Sequence, residues 1–536
     1  MTATVHETFE AIAARYPNRP MLCVVRETAR IYGIEAGETT YAEARHAIEQ
    51  LRGHYAEAGY GPGHRVGLLV ENRPAFLWNW LALNALGASI VPINPDLRAA
   101  ELAYLIEHSE MVLAVAIPAR AGDLREAAGE AGRDLAVIAP DGAPPPAPFP
   151  ATRETRAADI EAAVLYTSGT TGAPKGCVLT NTYFTHCGEW YRGMGGLCAL
   201  GAGTERMLTP LPLFHMNALA CSVMAMLATG GCLTVLDRFH PRSWWDSVRE
   251  SGATCIHYLG VMPPMLMGSP EGEADRDHAV RFGFGAGVPT DLHAPFESRF
   301  GFPLIEAWAM TETGAGGVIT AHEEPRHVGT ACFGRTDEGV EARVVAEDGT
   351  EAGPNEPGEL LVRRAGPDPR HGFFDRYLKD EAATDAAWQG GWLHTGDVVR
   401  RDAAGNFRFV DRKKNVIRRS GENIAAVEVE GVLRGHPLIN DAGVAPVPDD
   451  VRGDEVFALV VPAGPLDDPA AAAAEINAWM LTRLAYYKAP GFIAFVDALP
   501  VTATNKVQRQ RLKDEAARLL AEGAAIDLRA TKKRAA

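Results

Sequence analysis

The chain has 536 residues, more than one hydrophobic core normally organises, so two or more domains are expected. Its hydrophobic fraction of 47% and charged fraction of 22% are ordinary for a globular protein, and a net charge of −16 argues against nonspecific binding to nucleic acid or an anionic membrane. No apolar run approaches the ~20 residues that span a bilayer, the N-terminus lacks a signal-peptide core, and the eight cysteines show no C-x-x-C or zinc spacing, so a reduced, cytoplasmic protein without structural metal is expected.

In chain order, Tyr41 to Ile117 alternates helical stretches such as "EARHAIEQLRGHYAEAG" with short apolar runs such as "RVGLLV" and "MVLAVAI". Strands separated by helices predict βαβ units and a mostly parallel sheet. The proline-rich "GAPPPAPFP" (142–150) reads as a connector. The alternation resumes in "GGCLTVLD", "ATCIHYLG" and "HAVRFGFGAG". From Gly329 to Val410, short β runs with turn signals predict a compact β subdomain. After Asp411 the pattern predicts two strands, a helix and a hairpin, and "DDPAAAAAE" leads into a further helix because alanine favours it. The expected division is an N-terminal domain of residues 1–411 and a C-terminal domain of 412–536.

Just after the connector stands "YTSGTTGAPKG" (166–176). "DIEAAVLY" before it reads as a buried strand, and "CVLTNTYFTHCGEWYRG" after it has the length and spacing of an amphipathic helix. Gly169, Gly172 and Gly176 permit close backbone approach, so successive N–H groups can line an anion nest. Thr167, Ser168, Thr170 and Thr171 add hydroxyl donors, and Lys175 adds a mobile positive charge. The ligand suited to such a loop is a polyphosphate. A Walker loop is excluded because Gly172 is followed by Ala-Pro-Lys-Gly, and a nucleophile elbow because Ser168 lacks its flanking glycines. A plain surface turn is the alternative reading of any Ser/Thr/Gly cluster.

The loop resembles the phosphate loop of the adenylate-forming superfamily, which contains acyl-CoA synthetases, adenylation domains and luciferases. Further segments, in order through Leu512, carry the same resemblance. It implies an α/β fold: a large N-terminal domain of βαβ subdomains with a β subdomain, and a smaller mobile α+β C-terminal domain. It also implies a two-step reaction. A carboxylate attacks the α-phosphate of ATP, pyrophosphate leaves, and the acyl-adenylate then meets a nucleophile.

What the resemblance implies for residues follows motif by motif. "EAWAMTETG" (306–314) would set Thr311 and Glu312 at a strand end, with Glu312 holding Mg2+ against the ATP phosphates. Trp308 stands where the family commonly has a tyrosine against adenine. "GFGAG" (283–287) is similar to the turn beside adenine and supplies Gly285 and Ala286. "WLHTGD" and "DRKKN" supply Asp397 and, fifteen residues later, Arg412 as partners of the ribose. Lys414 falls at the hinge, and Gly421 and Glu422 fall on the strand that lines the CoA channel. "PVTATNKVQRQRL" (500–512) carries Lys506, whose cation would offset repulsion between the carboxylate and the α-phosphate. "LPLFHMNAL" (211–219) places His215 at the acyl pocket, where it gates thiol access or acts as a base. The expected acyl pocket comprises His215, Met216, Tyr258, Gly260, Val261, Phe284 and Trp308. Any one of these motifs also reads as an ordinary turn or a solvated side chain; their order together carries the resemblance.

The reading is an AMP-forming acid–CoA ligase that uses ATP, Mg2+ and CoA on a small to medium carboxylic acid. "DRKKNVIRRSGENI" with "TATNKVQR" is similar to the crotonobetaine/carnitine–CoA ligase-like branch, so a betaine acid is one alternative. A stand-alone adenylation enzyme loading a carrier protein is another. Phe214 is followed by His215 rather than by the aspartate of amino-acid adenylation domains, which leaves a substrate ammonium without its partner. A non-catalytic homologue is disfavoured because Lys175, Glu312, Asp397, Arg412 and Lys506 are all present. The expected partners are the acid, ATP and CoA, with no nucleic acid; a homodimer is compatible with the sequence.

Overall fold

Four β-sheets organise the computed structural model, which describes residues 3–152, 157–167, 173–346, 348–412, 416–500 and 509–533. The first has seven strands. At its heart Arg65–Leu69 pairs in parallel with Ser89–Pro92 and with Leu113–Ala116, and the helices Pro74–Ala85 and Ala99–Ser109 make the crossovers. Parallel strands covered on both faces require apolar residues throughout, and Ser89–Pro92 and Leu113–Ala116 are buried along their whole length. These are the βαβ units the sequence pattern predicts.

The phosphate-loop region departs from expectation. The segment after the loop is first a strand, Lys175–Thr180, antiparallel to Glu161–Thr167; the helix Asn181–Gly193 begins only afterwards, capped by Thr180. Thr167 pairs with Lys175, so the loop closes a hairpin rather than joining a strand to a helix. The reason is lateral: Lys175–Thr180 gains a second partner, Arg376–Tyr377, on its other edge. A short buried apolar run fits either element by periodicity, and the sheet partners decide.

The second sheet has eight strands, with a parallel centre and antiparallel edges. Cys255–His257, Phe282–Gly285 and Leu304–Trp308 run side by side in parallel, so their carboxyl ends open together on one side. In open α/β sheets that edge is where ligands bind. The strand ends at Trp308, and Thr311 and Glu312 lie in the turn that follows this strand end.

The expected β subdomain is the third sheet, with five antiparallel strands including Leu393–Arg401 and Phe407–Arg412. The last strand ends at Arg412, one residue beyond the expected boundary.

The C-terminal sheet has six strands and two apolar faces. Val444, Val456 and Ala458 face the helices Ala426–Arg434 and Pro469–Arg483, while Ala445, Phe457 and Leu459 face the helix Arg509–Ala521. Alternation along each strand produces this division. Pro469–Arg483 opens at Asp468, which accepts the amides of Ala470 and Ala471, as the alanine-rich run predicts.

Candidate active site

The described flanks of the phosphate loop are Thr167, Lys175 and Gly176; Ser168, Gly169, Thr170, Thr171 and Gly172 lie outside the described residues. Lys175 projects over the ring of Tyr377, its Nζ 4.8 Å from the centroid, and lies 3.6 Å from Asp380. Gly176 packs so closely on Val164 and Tyr166 that a Cβ there would collide.

Glu312 is buried on the turn after Trp308. The Tyr377 hydroxyl donates to its Oε1 at 2.8 Å, and its backbone carbonyl accepts from the Phe374 amide at 3.0 Å. Among the described residues no cationic side chain comes within 4.0 Å of this carboxylate. Mg2+ takes hard oxygen ligands, with one or two carboxylates completed by substrate phosphates. A fixed, unneutralised carboxylate on the same side as Lys175 fits that requirement. Thr311 contributes its backbone carbonyl to the hydroxyl of Tyr183 at 2.9 Å.

Asp397 is almost wholly buried, and its Oδ2 accepts the indole N–H of Trp308 at 2.9 Å. Asp397 and Arg412 are register partners on adjacent antiparallel strands. The fifteen-residue interval seen in the sequence is thus the span of one hairpin. The departure from tyrosine at position 308 has a structural counterpart: indole supplies an N–H that reaches the aspartate.

Gly285 and Gly260 are needed for close approach, since a Cβ at either would run into the backbone of Tyr258 or Gly287. Ala286 is exposed on the turn between. Glu306 holds this turn from beneath. Its carboxylate accepts from the Gly287 amide (2.9 Å), the Val288 amide (3.0 Å) and the Tyr258 hydroxyl (2.9 Å). Burial pushes its pKa up despite these bonds.

Five of the seven residues expected to wall the acyl pocket separate into two groups. Met216, Phe284 and Trp308 belong to one core; Tyr258 and Val261 belong to the core on the opposite face of the sheet. The face shared with Phe284 carries His257 instead, their ring centroids 5.4 Å apart, with Trp190 and Tyr191 covering them from the helix. His257 is fully buried and hydrogen-bonded to Tyr191 Oη (3.0 Å), Ser222 Oγ (2.8 Å) and Asn217 Oδ1 (2.9 Å). Burial pushes its pKa down to about 3, so it is neutral at physiological pH. Asn217 and Ser222 come from a π-helical turn, Asn217–Ser222, immediately after His215 and Met216. His257, Trp190 and Tyr191 were not among the expected residues. Strand alternation held the signal, because His257 and Tyr258 must point to opposite faces.

The C-terminal sheet reaches this site through its first turn. Gly421, at φ 89°, lies against Leu259 so tightly that a Cβ there would strike the leucine side chain. Glu422 Oε2 lies 3.4 Å from His215 Nε2. Further out, Lys488 is buried between Glu101 (2.6 Å) and Glu428 (2.7 Å), the Ala485 amide donates to Glu101 Oε2 (2.9 Å), and Asn94 donates to the Tyr487 hydroxyl (3.0 Å). Lys414 and Lys506 lie outside the described residues.

Among the described residues no helix is long and apolar enough to cross a membrane, and no group of three or more metal-ligating side chains occurs. Comparison with known proteins adds a family to this geometry. The AMP-binding enzyme family matches residues 9–368, and the AMP-binding enzyme C-terminal domain matches residues 428–506. Over 475 residues the chain is 34% identical to sulfoacetate–CoA ligase of Cupriavidus necator, covering 86% of this chain and 89% of that protein. It is 29% identical over 508 residues to crotonobetaine/carnitine–CoA ligase of Salmonella arizonae, covering 91% and 96%. A double mutant of o-succinylbenzoate CoA synthetase from Bacillus subtilis, bound with its product analogue, superposes with a TM-score of 0.79 at 26% identity, covering 95% of this chain and 98% of that one. The same enzyme in complex with its acyl-adenylate intermediate gives 0.63 over the same shares. With one family match spanning residues 9–368 and a relative 34% identical across most of both chains, the protein belongs to the AMP-binding enzyme family, within the adenylate-forming superfamily that its motifs resemble.

Proposed function

We propose that this protein is an AMP-forming acid–CoA ligase. It activates a carboxylic acid with ATP and transfers the acyl group to CoA. The observation that carries the reading is a convergence. Lys175, Glu312, Asp397 and Trp308 gather on one side, while the Gly421–Glu422 turn docks on Leu259 and His215 on the other. The first group suits a magnesium nucleotide: Lys175 toward phosphate, Glu312 toward Mg2+, and Asp397 with Arg412 toward the ribose. Bound Mg2+ would neutralise phosphate charge. The second group suits the path of a thiol. His215, paired with Glu422, is placed to border that path rather than to take a proton in the first step.

In this reading residues 1–411 form the ATP and acid domain and residues 412–536 the mobile domain, with Lys414 as the hinge. The domain is held in its thioester-forming arrangement, which the Gly421 contact and the higher TM-score to the product-analogue complex both support. Lys506 then belongs to the other arrangement. A cytoplasmic location is part of the proposal, in keeping with eight free, buried cysteines.

The acid is small to medium and not an α-amino acid. Trp190, Tyr191, His257 and Phe284 form one aromatic cluster, which we read with Trp308 as the pocket wall, and the carboxylate of Glu306 already accepts three hydrogen bonds. A betaine acid is the second reading, because aromatic faces attract quaternary ammonium without a carboxylate. The test is pyrophosphate release with ATP, with and without CoA, across sulfoacetate, butyrate, octanoate, benzoate, carnitine, palmitate and alanine. A CoA-dependent thioester from a short acid is expected. Palmitate or alanine as clearly the best substrate refutes the pocket reading, and acyl-adenylate that never transfers to CoA refutes the ligase.

A further inference from the structure

We propose that Tyr377 is a positioning residue of the adenylation step, joining Lys175 of the phosphate loop to Glu312. The proposal rests on the reading of Glu312 as the Mg2+ carboxylate. Tyr377 lies on Arg376–Tyr377, a two-residue strand that adds to the edge of the seven-stranded sheet and pairs with Cys177, two residues after Lys175. Its ring carries the Lys175 ammonium, and its hydroxyl donates to Glu312 Oε1 at 2.8 Å. One side chain therefore touches both charged groups that a magnesium nucleotide would meet.

The segment is built to hold that position. The Tyr377 amide donates to Thr384 Oγ1 at 2.9 Å, and Asp380 caps the following helix through the Ala383 amide at 2.9 Å. The Phe374 amide fixes the backbone of Glu312 while Tyr377 fixes its side chain, so one short segment holds the glutamate twice. A carboxylate that must accept a metal in one orientation gains from having its plane set beforehand. The lysine gains similarly: its ammonium rests on the ring face, 3.6 Å from Asp380, with no ion pair to the glutamate.

The test is Tyr377→Phe, which keeps the ring under Lys175 and removes only the hydroxyl. Adenylation is expected to fall roughly tenfold, with a matching rise in the Mg2+ concentration for half-maximal rate, as for loss of a hydrogen bond to a charged group. Binding of Mn2+ in the presence of a non-hydrolysable ATP analogue, read by electron paramagnetic resonance, should weaken by a similar factor. Thioester formation from supplied acyl-adenylate and CoA should be unchanged, which also reports an intact fold. Wild-type Mn2+ affinity and Mg2+ dependence in Tyr377→Phe, while Glu312→Gln loses both, overturns the role of Tyr377 alone. Equal loss in both half-reactions overturns it too, as a merely structural effect. Unaltered Mn2+ binding in Glu312→Gln overturns the glutamate assignment, and the proposal with it.

Discussion

The proposed nucleotide side of the site and the face that meets the C-terminal sheet are held by different chemistry. On the nucleotide side, Trp308 bonds Asp397, Tyr377 bonds Glu312, and Glu306 gathers the Gly287–Val288 turn, all through short hydrogen bonds between segments of the large N-terminal portion. The other face is held mainly by charged groups, beside the neutral Asn94–Tyr487 bond and the Gly421–Leu259 contact. Lys488 sits between Glu101 and Glu428, and Glu422 faces His215. Breaking a buried ion pair by separating its members into water restores the hydration that pairing had removed, so the net cost is small. Losing comparable apolar area would cost about 25 cal/mol per Å2 with no such return. In the proposed two-arrangement cycle, the difference separates a lasting surface from one suited to exchange.

Lys506→Ala is the largest expected break of this comparison. Lys506 belongs, by resemblance, to the arrangement not seen here, so it should matter only before the acyl-adenylate exists. Adenylation should fall by roughly 10²-fold or more, as for loss of an electrostatic stabiliser. Supplied acyl-adenylate and CoA should still react near the wild-type rate, measured as thioester in a single turnover. Comparable loss in both assays would falsify the division of labour.

Glu101→Gln sharpens the other half. It removes one of the two carboxylates flanking Lys488 while leaving an acceptor for the Ala485 amide. Thioester formation should slow about tenfold, the expected cost of one charge-assisted hydrogen bond, with adenylation unchanged. Slowing of adenylation instead would mean that the contact serves both arrangements.

The smallest effect is expected at Trp308→Phe. An aromatic face remains for adenine, but the N–H bond to Asp397 is lost. KM for ATP should rise about fivefold with kcat nearly constant, in line with about 1 kcal/mol for one hydrogen bond. A fall in kcat with constant KM would place Trp308 in the transition state rather than beside the bound nucleotide.

Much of the site was legible because chemistry and spacing coincide in short motifs. Asp397 and Arg412 could be paired from sequence because a hairpin joins them, and Glu312 could be singled out because "EAWAMTETG" resembles a motif of the superfamily. The strand Lys175–Thr180 was missed because local periodicity does not report the sheet partner Arg376–Tyr377, about two hundred residues away in the chain. Tyr377 itself was missed for the same reason. Nothing beside it in sequence marks it as a partner of Glu312. His257 was within reach, since period-two alternation sends it and Tyr258 to opposite faces, but the pocket side of the sheet had to be known first.

By itself the sequence determined the superfamily and the α/β fold with its β subdomain and C-terminal unit, and it singled out the charged residues proposed for adenylation, because each is written in ordered motifs. Only the tertiary structure decided that the loop closes a hairpin, that Trp308 serves Asp397, that Tyr377 joins Lys175 to Glu312, and that the Gly421 turn rests on Leu259. Those relations depend on which distant strands become neighbours and on which C-terminal arrangement is adopted, and no short stretch of chain encodes either.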